Sequence, residues 1–296
     1  MDEQLNILTV DLEEWYVVEA LRERLGDDEW SSLQSTVEKN SHRLLELFRR
    51  HNVRATWFAL GWVAQRHPDL IAEIEQEGHE IGCHSWVHRR VDSLTPDEFR
   101  EDTKRAIDAV AACVRNRPRG YRAPSWSIND TIPWAFEVLA ELGFDYDSSI
   151  FPIKHDIYGM PHGPRHIHKM QLRDDRILYE VPASTYRVMG KNIPVGGGGF
   201  LRHSPYWYSS RVIRRLNKNN RPVIVYVHPW EFDPDPPRVD GLTGMQRYRM
   251  YGSTAIFYHK LDRLLTEFPF TAMADYLQVL KRRRIGFADR VDSGSG

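Results

Sequence analysis

Strand-like and helix-like segments alternate along almost the whole chain, and this alternation constrains the fold more than any other feature. The candidate strands are residues 6–11, 53–60, 79–83, 118–123, 144–149, 177–184 and 222–228. Strands that alternate with helices are typical of a parallel sheet covered by its crossover helices. Seven such units fit a distorted (β/α) barrel better than an open doubly wound sheet. We therefore predict one α/β domain over residues 1–285 and a disordered tail at 286–296.

Local signals add helix starts and loops to this prediction. Thr95 and Glu98 have the spacing of a capping box, as do Ser35 and Glu38. Residues 151–176 are polar and are predicted to form a long loop. The four glycines at 196–199 are followed by no phosphate-binding lysine motif, so they are expected to form a flexible loop near the site.

Composition and charge exclude several classes of protein. The formal net charge is −1, whereas a nucleic-acid partner requires a basic surface. The apolar stretches 57–64 and 223–227 are far shorter than the roughly 20 residues of a membrane helix, so no integral membrane segment is expected. The acidic N-terminus does not resemble a signal peptide, and two cysteines cannot form a disulfide framework. We predict a cytoplasmic protein, and the oligomeric state remains open.

Titratable side chains fall where the predicted strands end. Asp11, His84, Arg122, Asp147 and His228 each end or directly follow a strand. The carboxyl ends of the strands of a (β/α) barrel open onto one face, where active sites lie. Residues scattered at random along the loops would not show this placement, so we predict that the five share a site.

The segment HSWVH places His84 and His88 at positions i and i+4. On one helical turn the two imidazoles would face the same side, which is a geometry used for metal ligation. For the pair alone, a surface or helix-capping role is the alternative. A carboxylate from residues 11–15, DLEEW, would complete a site of two histidines and one carboxylate with an open position for water, as catalytic zinc requires.

Five motifs occur in order along the chain: TVDLEEW, HSWVH, GYRAPSW, YDSS and VYVHPWEF. Together with ATWFALG and GHEIGC, they resemble the polysaccharide deacetylase family (carbohydrate esterase family four, the NodB homology domain). The resemblance covers residues 5–280. DLEEW, GGGGF and VHPWEFD are most similar to the subgroup associated with exosortase (PEP-CTERM) exopolysaccharide loci.

The resemblance implies a role for each residue of the predicted site. Asp11 corresponds to the general base, and Arg122 corresponds to the arginine that pairs with it. His84 and His88 correspond to the metal-ligating histidines, and His228 corresponds to the general acid. These roles imply that water activated by a divalent metal hydrolyses an amide, and zinc is the metal that we expect.

Three further roles concern orientation and substrate contact. Asp147 corresponds to the aspartate that orients His228, although its spacing differs from the family pattern. The backbone N–H of Ser125 is expected to hold the oxyanion. Trp126 and Trp230 lie beside the motifs and are expected to contact substrate, because aromatic faces suit sugar rings; core packing is the alternative for each.

The sequence departs from the family at the carboxylate ligand. Common members have two adjacent aspartates, whereas Leu12 follows Asp11 here. Alternate side chains of an extended segment share a face, so Glu13 points to the same side as Asp11 and is the expected ligand. If the strand turns after Asp11, Glu14 becomes the ligand instead.

Together these features predict a metal-dependent deacetylase that hydrolyses the N-acetyl group of an N-acetylated sugar. Its partner would be a glycan, either a nascent exopolysaccharide or its lipid-linked precursor. A hydrolase of the same fold acting on a small cyclic imide or ureide is one alternative, which a small closed pocket would favour. A non-catalytic glycan-binding relative is the other. The presence of Asp11, Arg122 and His228 disfavours this second alternative, because binding alone needs neither a base nor an acid.

Overall fold

The computed structural model describes residues 4–22, 25–155 and 158–282, and each predicted strand is present in this part of the chain. The strands are β1 (Asn6–Leu12), β2 (Thr56–Ala59), β3 (Glu80–Cys83), β4 (Gly120–Tyr121), β5 (Tyr146–Asp147), β6 (His168–Gln171), β7 (Ile177–Glu180), β8 (Thr185–Val188), β9 (Lys191–Pro194), β10 (Ile224–Val227) and β11 (Phe270–Thr271). Most are shorter than predicted, because loops occupy the ends of the apolar runs.

The helices are α1 (Glu19–Arg22), α2 (Val37–His51), α3 (Gly61–Arg66), α4 (Pro68–Gln76), α5 (Pro96–Ala111), α6 (Trp134–Glu141), α7 (Gly198–His203), α8 (Tyr206–Asn217), α9 (Gly244–Tyr251), α10 (Thr254–Glu267) and α11 (Met273–Arg282). The capping box of α5 is confirmed, since Thr95 Oγ1 accepts from the Glu98 N–H. The box predicted for Ser35 and Glu38 is wrong. The Ser35 hydroxyl instead donates to the Glu14 carboxylate, and α2 begins two residues later.

Nine of the described strands form one sheet in the order β10-β1-β2-β3-β4-β5-β7-β6, and β11 pairs with the start of β1. All neighbours are parallel except β6, which runs antiparallel to β7. Within the described ranges β10 and β6 form no ladder with each other, so the barrel is partly open. The predicted distorted (β/α) barrel is confirmed in this half-open form.

Strand β1 positions the site. All seven of its residues are buried, with β2 on one side and β10 on the other. A strand covered on both faces has a nearly continuous apolar sequence, which explains the run NILTV. Because parallel strands end at the same edge, the residues that follow β1, β3, β4 and β10 converge there.

Two segments predicted as loops contain regular structure. Strand β6 lies within residues 151–176, and Gly198 and Gly199 form the first turn of α7 rather than a flexible loop. The predicted disordered tail at 286–296 lies outside the described residues. None of the helices described here has the length and apolar content needed to span a membrane.

Candidate metal and catalytic site

The acidic residues at the end of β1 and just after it point to different sides of the chain. Asp11 Oδ2 and Glu13 Oε1 both lie 3.8 Å from His228 Nε2. Glu14 faces α2 instead, where its Oε2 accepts from the Thr36 N–H at 3.0 Å. The alternation of an extended segment therefore continues through Glu13, and it brings Glu13 rather than Glu14 to the histidines.

Glu13, His84 and His88 form a buried cluster whose potential ligand atoms all lie within 4.8 Å of one another. Glu13 Oε2 is 3.1 Å from His88 Nε2 and 3.8 Å from His84 Nε2. His84 Nδ1 lies 2.7 Å from the backbone oxygen of Arg122. A carbonyl can only accept, so Nδ1 carries the proton and Nε2 presents its lone pair to the cluster.

The two histidines meet in a different way from the one predicted. Residues 84–90 contain no helical turn. Ser85 and His88 instead adopt left-handed backbone conformations, with φ of 72° and 57°. The Ser85 hydroxyl accepts from the His88 N–H at 3.0 Å, which stabilises the reversal of the chain. The two rings do lie together, with centroids 5.3 Å apart, but a tight loop rather than a helical turn brings them there.

The cluster fits a divalent metal. Burial raises the pKa of Glu13, but His88, His228 and His84 outweigh this effect and lower it to about 2. Burial lowers the pKa of His84 to about 4, which favours the neutral imidazole that binds metals. Nitrogen and oxygen ligands about 2.0–2.1 Å from tetrahedral zinc lie about 3.3 Å apart. The 3.1 and 3.8 Å separations lie on either side of that value.

Arg122 is completely buried and holds Asp11 in place. Its Nη1 donates to Asp11 Oδ1 at 2.6 Å and to Thr9 Oγ1 at 2.8 Å. Its Nη2 and Nε donate to the hydroxyl and carbonyl oxygens of Ser148 at 3.0 and 3.3 Å. The rings within 6 Å of the guanidinium carbon are those of Phe58, Trp126 and Tyr226. The contact with Arg122 fixes Oδ1 of Asp11, and the other oxygen, Oδ2, points toward His228.

His228 directly follows β10 and borders the cluster. Its side chain is 19% exposed, against 5% for Asp11 and 4% for Glu13, so it is the member most open to a substrate. Burial lowers its pKa, but Glu13, Glu231 and Asp11 outweigh this and raise it to about 9. The Trp230 ring stacks on the imidazole at 5.4 Å, and its Nε1 donates to Glu13 Oε1 at 3.2 Å.

Glu231 contacts the far side of the His228 ring. Its Oε2 lies 3.0 Å from His228 Nδ1 and accepts from the His228 N–H, also at 3.0 Å. Its Oε1 pairs with Nε of the buried Arg202 at 3.0 Å. The prediction that Asp147 orients His228 is therefore wrong, because Glu231 occupies that position.

Asp147 braces the turn after β4 instead. It accepts from the N–H and hydroxyl of Ser149, at 3.0 and 2.6 Å. Burial raises the pKa of Asp147, and burial together with the Asp147 charge raises that of Glu180 much further, so Glu180 is the protonated partner. The Ser149 hydroxyl accepts from the Ala123 N–H at 2.8 Å, which connects the acid pair to the segment beside Arg122.

The same turn carries Ser125 and Trp126. Ser125 has a φ of 50°, which is uncommon for a residue with a side chain, and its N–H donates to no acceptor among the described residues. Trp126 is 6% exposed and packs against Phe151 and Tyr226, with ring centroids 5.1 and 4.9 Å away. Its expected contact with a sugar does not fit this burial, because the indole belongs to the core.

Two family models match the chain. Residues 27–146 match the model described as polysaccharide deacetylase. Residues 27–146 are therefore similar to this family, and they are 120 of the 296 residues of the chain. Residues 148–278 match a domain of unknown function (DUF3473). In this chain, His84, His88 and Arg122 lie in the first region, whereas His228 lies in the second.

Individual relatives share the first region. A peptidoglycan deacetylase of Helicobacter pylori (strain ATCC 700392 / 26695) is 29% identical over 108 residues, which are 36% of each chain. A chitooligosaccharide deacetylase of Bradyrhizobium sp. (strain ANU 289) is 33% identical over 98 residues, which are 33% of this chain and 42% of that one. This chain therefore matches less than half the length of these curated relatives.

The fold is shared over nearly the whole chain. The crystal structure of a "probable polysaccharide deacetylase" from Pseudomonas aeruginosa PAO1 aligns with a TM-score of 0.64 at 18% identity. The alignment covers 96% of this chain and 93% of that one. The likeness extends the family fold through the region of unknown function.

Two residues of this site were not predicted from the sequence. Glu231 follows His228 by three residues with Pro229 between them, which is the spacing of a capping box and could have revealed the contact. Arg202 carries no such local signal, since only the fold brings α7 against the end of β10.

Proposed function

We propose that this protein hydrolyses the N-acetyl group of an N-acetylated sugar in a metal-dependent reaction. The observation that carries the proposal is that Asp11 and His228 border the cluster of Glu13, His84 and His88. A base and an acid beside one metal-binding cluster suit attack of water on an amide and protonation of the departing amine. The names of the relatives support an N-acetylated glycan as the substrate.

Glu13, His84 and His88 would hold the metal, with zinc expected because two imidazoles and one carboxylate are a common catalytic zinc set. A bound zinc ion lowers the pKa of its water toward neutrality and polarises a carbonyl oxygen. Trp230 assists by donating to Oε1 of Glu13, which leaves Oε2 directed at the histidines.

Asp11 accepts the proton of the attacking water. Arg122 binds Oδ1 and keeps the carboxylate oriented, so Oδ2 is the oxygen available for the proton. The amide oxygen gains negative charge during the attack. The Ser125 N–H is a donor for this charge, because no described group accepts from it.

His228 donates its Nε2 proton to the departing amine nitrogen. A sugar amine is a poor leaving group without a proton, so this step determines whether the tetrahedral species collapses to products. The raised pKa of His228 favours the protonated imidazole at neutral pH. Its partial exposure allows the amine of a glycan to reach it.

The test is acetate release from a panel of N-acetylated glycans. The panel contains peptidoglycan fragments, chito-oligosaccharides, an acetylated exopolysaccharide and a lipid-linked N-acetylated sugar. Protein reconstituted with zinc should release acetate from at least one class, and a chelator should abolish the release until zinc is restored. No release from any class would overturn the proposed reaction, and activity that survives complete metal removal would overturn metal dependence.

A further inference from the structure

We infer that Glu231, anchored by Arg202, positions His228 and fixes the nitrogen that carries its permanent proton. We infer also that position 198 is a glycine because the Glu231 carboxylate occupies the space of a side chain there. The inference rests on the proposed function, in which His228 is the general acid. All three supporting residues lie in the region that matches the domain of unknown function.

The Glu231 carboxylate cannot move freely. Oε2 accepts from the backbone and ring of His228, and Oε1 pairs with Arg202 Nε, with each distance 3.0 Å. The side chains of Glu231 and Arg202 are only 1% and 2% exposed. A fully engaged carboxylate in a dry environment sets the plane of the imidazole that it contacts.

Arg202 is itself anchored by the chain at the end of α9. Its Nη1 donates to the carbonyl oxygens of Met250 and Gly252 at 3.1 and 3.3 Å. Its Nη2 donates to the carbonyl oxygen of Arg249 at 2.5 Å. Its Nη atoms are therefore held by backbone carbonyl oxygens, and its Nε faces Glu231. Arg202 contacts Glu231 and Glu231 contacts His228, so the three side chains hold one another in place.

The chemistry of the series determines the tautomer of His228. A carboxylate accepts hydrogen bonds and cannot donate, so Nδ1 of His228 keeps its proton in both charge states. Nε2, which lies 3.8 Å from Asp11 and Glu13, is then the atom that gains and loses the transferable proton. Glu231 thus acts through His228 as a positioning residue.

Gly198 provides an independent observation. A Cβ built on Gly198 would overlap Glu231 Oε2 and lie 2.5 Å from its Cδ. A Cβ on the adjacent Gly199 would meet no atom within 4 Å. Both residues lie in the first turn of α7, and neither has positive φ. The two glycines are therefore a matched pair for testing the position of the carboxylate.

The first test is Glu231→Gln. Oε2 faces the ring and the backbone N–H of His228, whereas Oε1 faces the buried Arg202 cation. Leaving that cation without an oxygen costs more than opposing the His228 N–H, so we expect the amide oxygen to face Arg202 and the NH₂ group to face His228 Nδ1. This arrangement makes Nδ1 an acceptor and moves the proton of the neutral ring to Nε2. Long-range ¹⁵N–¹H spectra of histidine-labelled protein, assigned with His228→Ala, should show the tautomer change. We expect kcat to fall at least about 100-fold, with KM within about threefold.

The second test compares Gly198→Ala with Gly199→Ala. The alanine at 198 should displace Glu231 and lower kcat at least about 30-fold at nearly constant KM and zinc content. The alanine at 199 should leave kcat within about twofold. Because Gly198→Ala retains both the Glu231 and the Arg202 side chains, it tests the position of the carboxylate without removing either charge.

The outcomes separate this inference from the proposed function. A neutral wild-type His228 ring protonated at Nε2 alone, or equal effects of the two alanines on kcat, would overturn the positioning role. If wild-type protein shows no deacetylase activity, the proposed function fails, and the spectra alone decide whether Glu231 fixes the ring. A neutral wild-type ring protonated at Nδ1 supports the inference in that case; a ring protonated at Nε2 alone overturns it.

Discussion

Replacing Glu13 by glutamine should abolish tight zinc binding, whereas the same replacement of Glu14 should not. Glu13 Oε2 lies 3.1 and 3.8 Å from the Nε2 atoms of His88 and His84, and glutamine offers only a neutral oxygen in its place. Loss of a residue that merely supports a metal ligand costs about 10–100-fold in affinity. Loss of the charged ligand should therefore raise the Kd for zinc by more than about 100-fold, which corresponds to about 2.7 kcal/mol.

Glu14 should show the opposite pattern. Its carboxylate accepts from the Ser35 hydroxyl and the Thr36 N–H at the start of α2. A glutamine would place an NH₂ group against one of these donors, and a buried hydrogen bond to a charged group contributes about 1.5–3 kcal/mol. Glu14→Gln should lower the free energy of unfolding by about that amount and change the zinc Kd less than about threefold.

The assay is calorimetric titration of zinc into the two metal-free variants, with a competing chelator for the tight binders. Urea unfolding of the same samples measures stability. Weak zinc binding in Glu14→Gln together with tight binding in Glu13→Gln would refute the assignment, since it would mean that the chain turns after Asp11. Equal losses of zinc affinity in the two variants would show that Glu13 and Glu14 do not point to different sides of the chain.

Three further outcomes are expected. Asp11→Asn should bind zinc but lose at least about 100-fold in kcat, because an amide cannot accept the proton of water; near wild-type turnover would exclude Asp11 as the base. His228→Ala should lower kcat far more than it raises KM, and loss of zinc by this variant would identify His228 as a ligand instead. Burial lowers the pKa of His79 to about 4 from 6.5, and its Nδ1 accepts from the Ala55 N–H at 3.1 Å. The unfolded chain therefore binds this proton first as the pH falls. Folding stability should drop by up to about 3 kcal/mol between pH 6.5 and 4, and His79→Gln should flatten this part of the pH profile of unfolding free energy.

The predicted site residues that the structure brings together share one property, which is that their placement follows from local geometry. The alternation of β1 puts Asp11 and Glu13 on one side, and it needs only an extended backbone. The ends of parallel strands meet at one edge, so His84 and Arg122 could be placed together without knowing any tertiary contact. The metal cluster was therefore accessible from the pattern of the chain.

The sequence by itself determined the alternating architecture, the edge that carries the site and the acidic residue that faces the histidines, because periodicity and strand direction are properties of the local chain. Only the tertiary structure decided that Glu231 rather than Asp147 contacts His228, that Arg202 anchors it, and that Trp126 is buried. Each of these outcomes depends on which side chains fill the space between distant elements. Both acids lie within motifs of the sequence, Asp147 in YDSS and Glu231 in VYVHPWEF. Burial beside Glu180 commits Asp147 to the turn after β4, whereas the space beside Gly198 admits the carboxylate of Glu231.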